Sequence, residues 1–212
     1  MKYKCIIFDC DGVLVDSEKI SMDVLVEMTR KLGKEINATL LSEQFSGLSL
    51  KSIFEKIEQI IGKKIPEDFE SIYRNETFLR FQSDLQPILG VKEIIEDLSI
   101  PFCVASSGPL KKIELNLKKT KLFKHFKGNI FSSYEIGSWK PEPEIFIYAA
   151  QKMGFRPNEC LVIEDSIAGI RAAKKGGFNV FGFTNQNEQK VFDEENLLIF
   201  QKMSELKLLL SK

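Results

Sequence analysis

The sequence lacks the marks of several large protein classes. Lysine plus arginine number 30 and aspartate plus glutamate number 30, so there is no excess charge of either sign. A protein that holds nucleic acid through many phosphate contacts carries a basic excess or a basic stripe, and the totals give none. No polybasic segment of the kind that attracts anionic lipid is present. No apolar run approaches membrane-spanning length: Leu206–Leu210 is interrupted by Lys207 and followed by Ser211. The four apolar residues between Lys4 and Asp9 are too few for a signal peptide. There are four cysteines (Cys5, Cys10, Cys103 and Cys160) and no CxxC pair, which speaks against a zinc site. Read as free thiols, they suit a cytoplasmic protein. The one histidine, His125, is far from every polar cluster described below and reads as a surface residue. There is no internal repeat and no low-complexity linker.

What remains is ordinary globular composition. The chain has 212 residues, 43% hydrophobic and 28% charged, which is not the balance of a disordered segment. That length buries a large core in one domain or two. Four short apolar runs stand out: Cys5–Phe8, Phe102–Ala105, Cys160–Ile163 and Val180–Phe183. None alternates with polar residues, so each suits a strand buried on both faces, as in a parallel sheet. Helical periodicity occupies Pro109–Leu117, Pro143–Met153 and Ser166–Lys175, between the runs. This alternation predicts an α/β doubly wound, Rossmann-like, mostly parallel sheet.

The stretch 17–85 differs. It holds no convincing strand run, and Leu50, Ile53, Phe54, Ile57, Ile60 and Ile61 form one apolar stripe at helical spacing. Ser49 is a candidate cap for that helix, and Pro66 opens another that runs to about Gln82. The segment is too long for a loop. It reads as a helical subdomain inserted into an α/β core made of 1–16 and 86–212.

Three apolar runs end in polar clusters: Asp9-Cys10-Asp11-Gly12, Ser106-Ser107-Gly108 and Glu164-Asp165-Ser166. In open α/β sheets ligands bind beyond the carboxyl ends of the strands. Parallel strands bring the three clusters to one edge, although each alone is equally a turn or a helix cap. Asp9 and Asp11 offer a carboxylate nucleophile beside an acid/base. Ser106, Ser107 and Gly108 offer hydroxyls and N–H groups before a helix, an anion site. Glu164 and Asp165 offer oxygen ligands that suit Mg²⁺. Lys140 lies in Trp139-Lys140-Pro141-Glu142-Pro143, where prolines constrain the backbone. Beside clustered carboxylates it neutralises them and contacts a phosphate; otherwise it is a surface lysine.

A charge count ties these together. With Asp9, Asp11, Glu164 and Asp165 ionised and Lys140 the one cation, the cluster carries minus three. A phosphate dianion is then repelled, because each unit pair at ~4 Å costs ~4 kcal/mol at an effective dielectric of about 20. One Mg²⁺ and a protonated Asp11 bring the cluster to zero.

At this point the motifs resemble a known family. Phe8-Asp9-Cys10-Asp11-Gly12-Val13-Leu14-Val15-Asp16-Ser17-Glu18 is similar to the first motif of haloacid dehalogenase (HAD) superfamily phosphatases. Val104-Ala105-Ser106-Ser107 resembles the second, Lys140-Pro141 the third, and Val162-Ile163-Glu164-Asp165-Ser166 with Gly169 and Ala172-Ala173 the fourth. The helical insertion resembles the cap of the β-phosphoglucomutase-like branch. Ser133-Tyr134-Glu135-Ile136 with Trp139–Pro143 looks most like 6-phosphogluconate phosphatase-type enzymes. The resemblance implies that Asp9 takes the phosphoryl group and that Asp11 serves the leaving alcohol and then water. It implies that Ser106 and Lys140 hold phosphate. It implies metal ligation by Asp165, Asp9 and the backbone carbonyl of Asp11, with Glu164 either a ligand or an orienting group. It places a cap loop at Phe45-Ser46-Gly47-Leu48-Ser49, with Gly47 facing substrate. Lys51, Arg74 and the hinge residue Ser17 are further candidates for substrate contact.

The expectation is a Mg²⁺-dependent phosphomonoesterase acting on a small phosphorylated metabolite, a sugar or sugar-acid phosphate, with no obligate protein partner. A sugar phosphomutase is the enzymatic alternative. The family's cap arginine has no match near Gly47 and its histidine after the first motif is replaced near Ser21, which favours hydrolysis. A phospho-accepting receiver is the non-enzymatic alternative; receivers have no inserted helical cap.

Overall fold

The computed structural model describes residues 2–37, 50–184 and 197–211. The chain divides into two compact units, one made of Met1–Asp16 with Gln86–Lys212 and one made of Ser17–Leu85.

The first unit is built on a six-stranded parallel sheet. Its strands are β1 (Cys5–Phe8), β2 (Phe102–Ser106), β3 (Ile130–Ser132), β4 (Cys160–Glu164), β5 (Asn179–Phe183) and β6 (Leu198–Phe200), in the spatial order β3-β2-β1-β4-β5-β6. Strand order therefore reverses between β1 and β4, the topological switch point at which such sheets form a crevice. The register sets Ile7 beside Cys103 and Val162, and Phe8 beside Val104 and Ile163. The ladder is thus level where the polar clusters begin.

Both faces of the sheet are covered, which is why the central strands are apolar without alternation. On one face Cys5, Ile7, Cys103, Ala105, Cys160 and Val162 pack against Ile145, Phe146 and Ala149 of the helix Glu144–Met153 and Ala172 and Ala173 of the helix Ile167–Lys175. On the other, Phe8 meets Phe102 and Phe126 edge-on at 6.3 Å. Complete burial of a side chain of this size stabilises by about 1.5–3 kcal/mol. All four cysteines are buried free thiols.

Two strands have no counterpart in the sequence reading. β3 and β6 are three residues long and lie at the sheet's edges, and Leu198 is exposed. Three residues are too few to register as an apolar run. His125 is a correction too. It lies in the short helix Phe123–Phe126 with its side chain largely covered and Glu96 3.8 Å away.

The second unit is helical. Its described helices are Ser17–Lys31, Leu50–Ile61 and Phe69–Asp84. Val24, Leu25 and Met28 pack with Ile53, Phe54 and Ile57 and with Phe69 and Tyr73. Phe54 sits edge-on to Phe69 at 5.3 Å and to Tyr73 at 5.8 Å. The helix expected from Pro66 begins instead at Phe69 and runs to Asp84. The candidate cap Ser49 and the loop from Phe45 to Ser49, with Gly47, lie outside the described residues. Among the described residues, no helix is long and apolar enough to cross a membrane.

Candidate active site at the sheet's switch point

Asp9 is the first residue beyond β1. Its N–H donates to the Ile163 carbonyl at 3.0 Å, so the β1–β4 ladder runs one residue past the strand and fixes the backbone that carries the carboxylate. The next turn is closed by Leu14 and Val15 N–H groups donating to the Cys10 carbonyl. Gly12 sits in that turn at φ 80°, and a Cβ there would stand 1.7 Å from Asp165 Oδ2. Glycine is required on both counts. It lets the loop after β1 lie against the acid after β4.

Glu164 ends β4 and is almost fully buried. It accepts from the Ser166 N–H at 2.7 Å and the Ser166 hydroxyl at 2.9 Å. That hydroxyl in turn accepts from the Gly169 N–H at 3.1 Å and caps the helix Ile167–Lys175. A Cβ on Gly169 would stand 1.8 Å from Glu164 Oε1, so the first turn of this helix has room for the glutamate only because residue 169 has no side chain.

Lys140 joins the two strand ends. Its ammonium donates to Asp9 Oδ1 and to Glu164 Oε1, both at 2.5 Å, and its side chain is 6% exposed. The Phe146 ring lies 4.8 Å from the charge. This is a buried ion triad and not a surface lysine. Burial pushes the Asp9 carboxyl well above the usual range; Lys140 opposes that shift and Glu164 adds to it. Burial would depress the Lys140 ammonium, but Asp9 and Glu164 outweigh it and hold it above its usual value.

Oxygens of Asp9, Glu164 and Asp165 lie within 4.8 Å of one another. Three hard carboxylate donors at such spacing fit a divalent cation with oxygen preference. The Asp11 carboxylate is not part of that group. It accepts instead from Lys112 Nζ at 2.8 Å and from Asn116 Nδ2 at 3.3 Å.

Lys112 corrects the charge count. It sets a second ammonium beside Asp11, so the cluster is less negative than the count with Lys140 as the one cation. The sequence signal for Lys112 and Asn116 is their spacing of four on a helix that begins just after a strand-end cluster, which places both on one helix face.

Ser106 ends β2, is buried, and accepts from the Gly108 N–H at 3.1 Å. Ser107 and Gly108 are half-buried. Ser132, opposite Ser106 in the β2–β3 register, donates its hydroxyl to the Gly108 carbonyl at 2.6 Å. It braces the loop from the neighbouring strand, a role that sequence reasoning missed because β3 is so short.

The remaining candidates belong to the helical unit. Ser17 is buried at the start of its helix, and its carbonyl accepts from the Ser21 hydroxyl at 2.8 Å. Lys51 is exposed. Arg74 is exposed and paired with Glu70 one helical turn away, through Nε at 2.8 Å and Nη2 at 2.7 Å.

Comparison with known proteins decides the family. The model of the haloacid dehalogenase-like hydrolases matches residues 3–177. The chain belongs to this family. It is 30% identical to 6-phosphogluconate phosphatase of Escherichia coli over 97% of this chain and 93% of that protein. It is 26% identical to a phosphorylated carbohydrates phosphatase of Thermotoga maritima over 96% of each chain. A conserved haloacid dehalogenase-like protein of unknown function from Agrobacterium tumefaciens superposes with a TM-score of 0.91 at 29% identity, covering 99% of this chain and 98% of that one. The family match and the phosphatase relatives make this haloacid dehalogenase-like chain a phosphatase.

Proposed function

We propose that the protein is a Mg²⁺-dependent phosphomonoesterase acting on a sugar or sugar-acid phosphate through an aspartyl-phosphate on Asp9. The observation that carries this is the Asp9 carboxylate, buried at the end of β1 and bonded at 2.5 Å to a buried lysine, with a second aspartate two residues on. Burial strips water from the nucleophile and pushes its carboxyl up, and Lys140 opposes that rise. Attack by Asp9 on phosphorus breaks the ester bond while Asp11 gives its proton to the departing alcohol. Asp11 then takes a proton from the water that attacks the phospho-aspartate, and phosphate leaves. Ser106 and the loop Ser107–Gly108 hold phosphate oxygens at the end of β2.

A divalent cation bound by Asp9, Asp165 and the Asp11 carbonyl, with Glu164 as a further ligand or an orienting group, would offset phosphate charge as a hard Lewis acid. The sugar-phosphate class is supported by the names of the Escherichia coli and Thermotoga maritima relatives. In this proposal the unit Ser17–Leu85 selects the substrate, with Ser17, Lys51, Arg74 and Gly47 as candidate contacts. The four buried free thiols suit a cytoplasmic setting. The test is phosphate release from a panel of sugar and sugar-acid phosphates, with and without Mg²⁺. Metal-dependent release from part of the panel is expected. Metal-independent release would overturn the metal assignment, and equal release from every ester would overturn selection by the helical unit.

A further inference from the structure

Two side chains of the helix Leu110–Lys119 converge on Asp11. Lys112 donates to Oδ2 at 2.8 Å and Asn116 to Oδ1 at 3.3 Å, so each carboxylate oxygen has its own donor. The terminal torsion of an aspartate is soft. One ion pair leaves the carboxylate free to rotate about that bond, whereas two donors on different oxygens fix its plane. Asn116 is fully buried; its amide nitrogen is used on Asp11, while its amide oxygen has no hydrogen-bond partner among the described residues, so the bond to Asp11 is what offsets the cost of burying the group. The Lys112 stem passes 3.6 Å from the position of a Cβ on Gly108, so it lies against the second strand-end loop on its way to Asp11. The clamp therefore connects the loop after β1 to the loop after β2.

We propose that Lys112 and Asn116 are positioning residues for Asp11, holding its carboxylate in the orientation that serves the leaving alcohol. The inference rests on the phosphatase reading above, with Asp9 as nucleophile and Asp11 as acid/base. In that reaction the Asp9–phosphorus bond forms as the ester oxygen departs, and that oxygen takes the proton from Asp11. The proton is replaced from the attacking water, so one water is consumed for each alcohol and phosphate released.

The test uses leaving groups of different need. A sugar alkoxide requires a proton to depart, while p-nitrophenolate departs without one. The ratio kcat/KM covers the steps up to release of the first product. Lys112→Met is expected to lower kcat/KM for 6-phosphogluconate or glucose 6-phosphate by about 10- to 100-fold. For p-nitrophenyl phosphate the loss is expected to stay within about threefold, since no proton is required there. Lys112→Arg, which keeps a donor, is expected to restore most of the alkyl-ester rate. Should Lys112→Met melt below the assay temperature, Asn116→Ser carries the same comparison. Equal losses on both ester types, or no loss on either, would overturn the positioning role while leaving the phosphatase reading intact. Asp9→Asn tests that reading separately: wild-type turnover in that variant overturns it, and the inference with it.

Discussion

Lys140 and Arg74 are both cations bonded to a glutamate, one in each compact unit, and their surroundings differ sharply. Lys140 is 6% exposed and its partner Glu164 is 1% exposed. Arg74 and Glu70 are 58% and 53% exposed. The buried group is held between two carboxylates over an aromatic ring, so each partner depends on the others and removing one leaves an uncompensated charge. The exposed pair keeps most of its water and is worth a few tenths of a kcal/mol. The sheet unit thus buries charge at one edge, whereas the buried cluster described in the helical unit is apolar. A contact of similar length is shut away from water in one unit and open to it in the other.

The largest effect belongs to the buried cluster. Asp9→Asn keeps the shape of the side chain and removes the nucleophile, and a loss of phosphate release of at least about 10³-fold is expected. Release assays on variant and wild type, with circular dichroism to show an unchanged fold, check this. In the helical unit the sensitive group is apolar. Phe54→Ala is expected to destabilise by about 3–5 kcal/mol through the cavity left between Phe69 and Tyr73. Denaturant titration reads that loss, and a change below about 1 kcal/mol would mean that this core is loosely packed.

Gly169→Ala is expected to cost about 1–3 kcal/mol by forcing a methyl against Glu164. Because the displaced group is a cluster carboxylate, activity should fall further than the melting temperature implies. Unchanged activity would show that Glu164 can move without consequence.

The smallest effect is a surface one. Arg156 and then Lys4 hold the Glu159 carboxyl down to about 2. Its folded value lies below the unfolded value of about 4.3. The stabilisation is therefore complete above the unfolded value and is lost as pH falls through the folded one. Melting curves of wild type and Glu159→Gln should differ at pH 6 and converge as pH falls from about 5 to 2. A gap that stays constant over that range would show that the pairing contributes nothing.

Much of the fold was legible because the four central runs, at Cys5, Phe102, Cys160 and Val180, are apolar on both faces, a pattern few other elements produce. The polar ends of three of these runs lie at one edge of the parallel sheet for the same reason. β3 and β6 were hidden by their length and edge position. Lys112 and Asn116 were hidden differently. The helical pattern over Pro109–Leu117 was visible, but which of its polar residues turn toward Asp11 depends on the helix's rotation against the sheet. Gly12 and Gly169 stood in the motifs without a reason. The reason is the space taken by Asp165 and Glu164, which depends on how the loop and the helix approach the sheet edge.

Acid-quenching the protein during turnover of a hydrolysed sugar phosphate with Mg²⁺, followed by mass spectrometry of its peptides, addresses the buried cluster directly. A phosphoryl group on the peptide containing Asp9 is expected in the wild type, and none in Asp9→Asn. Steady turnover with no phosphoryl group on Asp9, or with the group on another residue, would contradict the assignment of Asp9 as nucleophile.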